Sequence, residues 1–267
     1  MNDLSEVSLS GKYERLKHLL RSYGKVGVAF SGGIDSSLLL FAAGEVLGRK
    51  NVIALHGRSA LNIYETDIEE FFNSNFANSA ILKIIDLQPL DWPDFVSNDS
   101  KRCYYCKKKT YSIFLEELSD NKDFLLIDGT NKDDLLETRA GLAVLKEFGV
   151  KTPLADAGLG KKEIRFLAHS FGLPNYNMPS NSCLATRLHS TTPIQVTSLV
   201  TVANIEKKLH QMGFPGCRVR PGDENVVIEL RQQDYLKFSL KHNRIRIIQL
   251  CNKHGFASVL IDVRGRN

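Results

Sequence analysis

The chain has no run of 18 apolar residues. The longest apolar stretch near the front, Leu38 to Ala43, is too short to cross a bilayer. Met1 to Ser10 mixes Asp3, Glu6 and three serines. It offers neither a basic leader nor an apolar core segment, which argues against a secretory signal. No repeat at solenoid spacing and no low-complexity tract interrupts the 267 residues. Cysteine is scarce: five thiols, an odd number with two clustered, do not make the paired framework of a small secreted domain. The expected setting is the cytoplasm, with thiols reduced and no membrane partner. Charge of one sign is lacking too. With 35 basic and 30 acidic residues the net charge is +5, which permits an anionic ligand but does not mark a nucleic-acid binder. At 43% hydrophobic and 24% charged residues, the composition excludes disorder and leaves enough apolar chain for one large domain or two modest ones.

Short β-rich runs alternate with helical patterns. Strands are expected at Lys25–Phe30, Asn51–Leu55, Ala80–Ile85 and Phe124–Asp128. Helices are expected at Glu14–Tyr23, Leu38–Leu47, Ile63–Phe72, Leu135–Glu147 and Lys161–Ser170. That alternation implies an α/β fold, an open parallel sheet with helices on both faces. Gly172 to Ser182 is rich in Pro, Asn and Ser and reads as a loop, so a boundary is expected near residue 182. Beyond it the pattern changes to a helix (Pro193–Met212), two strands about a Gly222-Asp223 turn, helices at Gln232–Leu240 and Asn243–His254, and a final strand (Ala257–Val263). The expected organisation is residues 1–182 as an α/β domain and 183–267 as a small α+β domain.

Ser31-Gly32-Gly33-Ile34-Asp35-Ser36-Ser37 follows a strand and opens a helix. Glycines there let backbone N–H groups curl round an anion, and the helix N-terminus adds a favourable dipole. The three serines can donate further bonds to phosphate, while Asp35 suits Mg²⁺ or loop orientation. The loop lacks the lysine of a Walker A motif and the G-x-G-x-x-G of a dinucleotide fold. Asp128-Gly129-Thr130-Asn131-Lys132-Asp133-Asp134 begins at a strand end, where ligands sit in open α/β sheets, but it also reads as a capped turn into a helix. Cys103 and Cys106 form a lone CxxC, compatible with zinc, redox chemistry, iron–sulfur or coincidence, and a third thiol, Cys183, follows the Pro/Asn/Ser loop. Three thiolates can hold three corners of a [4Fe–4S] cluster and leave one iron open. Cys217 and Cys251 lie in apolar-periodic runs and read as core thiols. Arg218 and Arg220, two apart on a strand, share one face and suit bidentate phosphate binding.

Ser-Gly-Gly-Ile-Asp-Ser resembles the loop of the PP-loop, or ATP pyrophosphatase, superfamily, with an adenine nucleotide alpha hydrolase-like sheet. The resemblance implies cleavage of ATP between its α and β phosphates. It makes Gly129, Asn131 and Asp133 candidates for nucleotide or Mg²⁺ contacts. The succession of that loop, Arg102-Cys-Tyr-Tyr-Cys-Lys107, Asp128 to Asp134, Gly158-Leu-Gly-Lys-Lys-Glu-Ile164 and Cys183-Leu-Ala-Thr-Arg187 resembles the LarE family of ATP-dependent sulfur transferases. Arg218 and Arg220 are similar to that family's phosphate-gripping pair. The resemblance implies adenylation of a carboxylated nucleotide, pyridinium-3,5-biscarboxylic acid mononucleotide, with release of pyrophosphate. Sulfur then replaces AMP, on the way to a nickel-pincer nucleotide cofactor. It further implies MgATP at Ser31, Gly32, Gly33, Asp35, Ser36 and Ser37, and Cys183, Asp35 and Arg187 as catalytic residues. Cys103, Cys106 and Cys183 are implied as cluster ligands, with a sulfide donor and a homo-oligomer, trimer or hexamer, as partners. Three rivals share the sequence features. A tRNA thiolase would want a nucleic-acid surface and zinc-rich extensions. An amide ligase would want an ammonia source. A non-enzymatic iron–sulfur or nucleotide-binding protein would bind without releasing pyrophosphate.

Overall fold

A computed structural model describes residues 3–61, 67–119, 123–136, 141–178, 182–190 and 192–266, with side chains from residue 8. In chain order the elements are α1 (Asp3–Tyr23), β1 (Lys25–Ala29), α2 (Ile34–Leu47), β2 (Val52–Arg58), α3 (Ile68–Asn75), β3 (Ile81–Asp86), α4 (Pro93–Val96), α5 (Arg102–Glu117) and β4 (Phe124–Asp128). They continue with α6 (Leu142–Glu147), α7 (Pro153–Asp156), α8 (Lys161–Ser170), α9 (Val196–Gln211), β5 (Arg218–Pro221), β6 (Asn225–Arg231), α10 (Tyr235–Ser239), α11 (Lys241–Lys253) and β7 (Ser258–Arg266). No described helix is long and apolar enough to cross a membrane.

The chain divides into two compact units. The first takes Met1–Ser59, Glu65–Leu87 and Cys103–Met178, and the second Ala60–Tyr64, Gln88–Arg102 and Pro179–Asn267. The first contains the expected parallel sheet, in the order β3-β2-β1-β4. Side chains alternate across it, as the pleat requires. Val26, Val28, Val52, Ala54 and Ile127 face a core built with α1, α2 and α8. Ile53, Leu55 and Leu126 face a second core closed by Tyr111, Phe114, Val144 and Leu145 from α5 and α6. Helix α2 is apolar nearly all round, with Leu38, Leu39, Leu40, Ala42 and Ala43 all buried, as expected for a helix enclosed by sheet and helices. Each such leucine contributes about 1.5–3 kcal/mol by leaving water. Gly44 on α2 lies against the turn at Ser79, where an added Cβ would sit 2.8 Å from the Ser79 carbonyl oxygen.

The second unit holds a three-stranded sheet, β5-β6-β7, antiparallel between β5 and β6 and parallel between β6 and β7. Val226, Ile228 and Leu230 alternate inward along β6, and Leu199, Val202, Ile205 and Leu209 form the buried stripe of α9. Asn98 shows why residues 88–102 join this unit: its side-chain amide donates to the carbonyls of His189 (2.8 Å) and Thr192 (2.7 Å).

Elements differ from the sequence expectation mostly at their ends. α1 begins at Asp3 instead of Glu14, and α8 spans Lys161–Ser170 as expected. The 135–147 pattern resolves into a short turn at Asp134–Leu136 and α6 at Leu142–Glu147, with residues 137–140 outside the described set. Part of the expected Ile63–Phe72 helix also falls outside it; the described helix is α3. The Gln232–Leu240 helix splits at Asp234 into a one-turn segment and α10. Cys217 and Cys251 are buried, and burial pushes the Cys251 thiol up to about 11, in keeping with inert core positions.

Candidate functional site

In the first unit the sheet order sets the geometry. β1 lies between β2 and β4, and Ala29 is in register with Asp128. The loops leaving β1 and β4 therefore emerge side by side at the strand ends, the crevice where open α/β sheets bind ligands. The approach is close: a Cβ on Gly129 would stand 3.0 Å from the Ser36 backbone nitrogen.

The 31–37 loop is a hydrogen-bonded nest. Gly32 takes φ +74°, a left-handed conformation suited to glycine. Ser36 Oγ accepts from Ser31 N–H (3.2 Å) and donates to Gly33 O (3.0 Å), and Gly33 N–H reaches Ser31 Oγ at 3.3 Å. Gly33 caps α2 without a side-chain bond, so the first turn's N–H groups face the loop and not a capping oxygen. That arrangement suits an anion. Ser37 takes a different role from the phosphate donor expected. It is 0% exposed, and its hydroxyl accepts from Asn175 Nδ2 at 2.9 Å, bracing the loop from inside.

Asp35 accepts from Lys161 Nζ (2.7 Å) and from Asn131 Nδ2 (3.2 Å). Asn131, fully buried, caps its own turn by accepting from the N–H groups of Asp133 and Asp134. Asp133 accepts from the Lys161 backbone N–H at 2.7 Å, at the positive end of α8. Glu163 reaches back to Gly160 N–H (2.9 Å) and pairs with Lys12 (2.6 Å), completing the helix start. Asp128, ending β4, accepts from Thr130 and Tyr111 and pairs with Lys107 at 3.3 Å. Burial pushes its pKa up, but the Lys107 ammonium and the bonds from Thr130 and Tyr111 outweigh that and hold the carboxyl below its ordinary range. Sequence reasoning missed Lys161 as a site residue; the signal that could have found it is the Gly160-Lys-Lys-Glu163 helix start.

Cys103 and Cys106 sit in the opening turns of α5, three residues apart and so on one face. Cys103 is exposed and Cys106 half-buried. The pair follows a turn and not a strand, unlike the thioredoxin arrangement.

The second unit carries the other candidates. Cys183, half-buried, precedes a tight turn at Leu184–Arg187, and its carbonyl accepts from Thr186 N–H (3.0 Å) and Oγ1 (2.7 Å). The Arg187 guanidinium turns inward. It is 3% exposed, and its Nε and Nη2 donate to Glu206, itself 0% exposed, at 2.7 and 3.1 Å. Its Nη1 donates to the carbonyl and hydroxyl of Ser182 at 3.2 and 2.7 Å. Arg187 thus clamps the backbone that carries Cys183. Glu206 also accepts from Val219 N–H at 2.8 Å, tying α9 to β5. Arg220 pairs with Glu229 and donates to the Thr186 carbonyl at 2.8 Å. Arg218 differs: its buried Nε has no partner. Burial and the neighbouring Arg266, Arg187 and Arg220 lower it to about 10. An arginine left short of an acceptor among other arginines suits an anion.

No group of three His, Cys, Asp or Glu side chains capable of holding a metal is gathered among the described residues. Mg²⁺ is less demanding, since it commonly uses one or two carboxylates with phosphate oxygens and water. Asp35 and Asp133, both bound to Lys161, fit that donor chemistry.

The parallel sheet, the nest between β1 and α2 and the adjoining β4 loop define an α/β protein of the PP-loop fold, followed by a small mixed sheet. No family model matches the chain. It is 34% identical over 265 residues to the pyridinium-3,5-bisthiocarboxylic acid mononucleotide synthase of Lactiplantibacillus plantarum, covering 97% of this chain and 93% of that protein. It is 28% identical over 258 residues to an uncharacterized protein of Synechocystis, covering 96% and 95%. It is also 29% identical over 191 residues to a component of the glutamine-hydrolyzing GMP synthase of Thermoplasma volcanium, covering 65% and 60%. The chain belongs to the LarE family of sulfur transferases.

Proposed function

We propose that this enzyme uses MgATP to adenylate a carboxylate of pyridinium-3,5-biscarboxylic acid mononucleotide and then exchanges AMP for sulfur, giving a thiocarboxylate. The supporting observation is the near full-length similarity to a bisthiocarboxylic acid mononucleotide synthase, together with a nest that leaves the first turn of α2 open to an anion. In the first step a substrate carboxylate oxygen bonds to the α-phosphorus, the bond to the bridging oxygen breaks, and pyrophosphate leaves. Backbone N–H groups of Gly32, Gly33 and the start of α2, with Ser31 and Ser36, would receive the departing charge, where fixed donors contribute most. Mg²⁺ would be held by Asp35 and Asp133 and would neutralise phosphate charge. Lys161, whose ammonium pairs with Asp35 and whose backbone N–H donates to Asp133, would add a cation beside the leaving group. Gly129 and Asn131 would shape the nucleotide edge.

In the second step hydrosulfide attacks the acyl carbon, AMP leaves with the bonding pair, and a proton is released to solvent. Cys183 is the proposed sulfur-handling residue and Arg187 its positioning clamp. Arg218 and Arg220 would hold the mononucleotide phosphate, the former through its unpartnered Nε. A [4Fe–4S] cluster on Cys103, Cys106 and Cys183 belongs to the same proposal. The described residues do not gather such a group, so no step above runs through it. The test is pyrophosphate release under anaerobic conditions with MgATP, sulfide and the biscarboxylic mononucleotide, with the product followed by mass. Each oxygen-to-sulfur exchange adds about 16 Da, matched by one AMP and one pyrophosphate. Pyrophosphate release that does not depend on the mononucleotide would overturn the substrate assignment. Formation of an amide with ammonia in place of sulfide would favour the ligase reading.

A further inference from the structure

The loop after α8 contains a side chain that the chemistry above does not use. Asn175 is 1% exposed and lies 143 residues along the chain from Gly32. Its Nδ2 donates to Gly32 O and to Ser37 Oγ, each at 2.9 Å. Its Oδ1 is buried with no partner. That asymmetry fixes the amide's orientation. Turned over, the oxygen would oppose the Gly32 carbonyl, and both donor bonds would be lost.

The turn that carries Asn175 is secured from both sides. Leu173 N–H donates to Ala168 O at 2.9 Å, and Arg165 of α8 donates to the carbonyls of Tyr176 (2.7 Å) and Met178 (2.9 Å). The His169 and Tyr176 rings meet edge-on at 4.5 Å. Helix α8 thus holds the loop at two points: through Lys161 on Asp35 at its start, and through the Asn175 turn on Gly32 and Ser37 beyond its end.

We infer that Asn175 is a positioning residue that sets the Gly32–Gly33 peptide plane so that the Gly33 N–H points to the pyrophosphate side of the nest. In a trans peptide the carbonyl and the following N–H point in opposite directions. Drawing the Gly32 oxygen inward onto Asn175 therefore turns the Gly33 N–H outward, where it donates a long bond to Ser31 Oγ at 3.3 Å that an arriving phosphate oxygen can replace. With Gly32 at φ +74° this peptide has little local restraint, because glycine adopts either sign of φ at similar cost. The restraint comes from Asn175. The carboxamide of asparagine is the right group for it: an aspartate would set an anion against the Gly32 oxygen, and a serine offers one donor for two acceptors.

This inference rests on the ATP-pyrophosphatase reading, and its test separates the two. Binding of Mg-pyrophosphate and of AMP is measured by calorimetry on the full chain as wild type, Asn175→Ala and Asn175→Asp. Removing the brace is expected to weaken pyrophosphate about tenfold or more while AMP changes by less than about twofold, because AMP lacks the groups that the Gly33 N–H would meet. The aspartate variant is expected to be at least as impaired as alanine. A general loss of fold would weaken both ligands alike, and that outcome overturns the inference. So does unchanged pyrophosphate affinity in both variants. Wild-type protein that binds neither ligand would instead overturn the underlying reading. As a second arm, Ser37→Ala combined with Asn175→Ala should cost less than the sum of the two single changes, since both remove the same hydrogen bond.

Discussion

Glu206→Gln tests the clamp under Cys183. Glu206 accepts from Arg187 Nε and Nη2 and from Val219 N–H at 2.7, 3.1 and 2.8 Å, and all three contacts are buried. Glutamine keeps the shape, removes the negative charge and turns an NH₂ toward a guanidinium that only donates. The Arg187 charge then stays in the interior without its counter-charge, which costs about 3–5 kcal/mol. Trp92 is the chain's one tryptophan and belongs to the second unit, so its fluorescence follows the unit that contains the pair. With a urea slope of about 2 kcal/mol per M, that cost lowers the unfolding midpoint by about 1.5–2.5 M. The clamp argument also fixes a sign for the double variant. Arg187→Leu with Glu206→Leu should be less destabilised than the sum of its two single changes, because an apolar pair leaves no stranded charge. A midpoint shift under about 0.5 M for Glu206→Gln, or strict additivity in the cycle, would refute the reasoning.

Four further outcomes are expected. Arg218→Met should raise the second unit's urea midpoint while weakening phosphate binding, because the wild-type side chain leaves a buried donor unpaired among three other arginines; a lowered midpoint would contradict the assignment. Gly44→Ala should lower thermal stability although alanine favours helix by about 1 kcal/mol, since its Cβ meets the Ser79 backbone; calorimetry showing a gain would mean that the Ser79 turn yields freely. Asp128 has a folded-state value below its ordinary 3.8, so its contribution is present above that pH and is lost as pH falls through the lowered value. The wild type should therefore exceed Asp128→Asn in melting temperature most clearly above about pH 4, and the gap should narrow in stronger acid; a gap independent of pH from about 2 to 6 would refute the linkage. Anaerobic protein should hold about four irons and four sulfides per chain, lost in Cys183→Ala; absence of iron from the wild type would remove the cluster from the proposal.

The residues that read clearly from sequence are those whose cause is local. Continuous apolar runs along Lys25–Ala29 and Val52–Arg58 identify buried strands because both faces of a parallel sheet are covered. Lys161–Ser170 reads as a helix from its own apolar spacing and Glu163 cap. The Gly32-Gly33 nest reads as an anion site because glycine and hydroxyl spacing are written within seven residues. Element ends were less legible, as at Asp234, where a one-turn segment gives way to α10.

The sequence by itself determined the α/β plan, the glycine-rich loop between β1 and α2, and the family. The tertiary structure alone decided which polar groups complete the sites. Lys161 meets Asp35 across 126 residues, Asn175 meets Gly32 across 143, and Arg187 turns inward to Glu206. No local pattern marks these partners, because a buried hydrogen bond is satisfied by whichever group the packed chain brings within about 3 Å, at any separation in sequence.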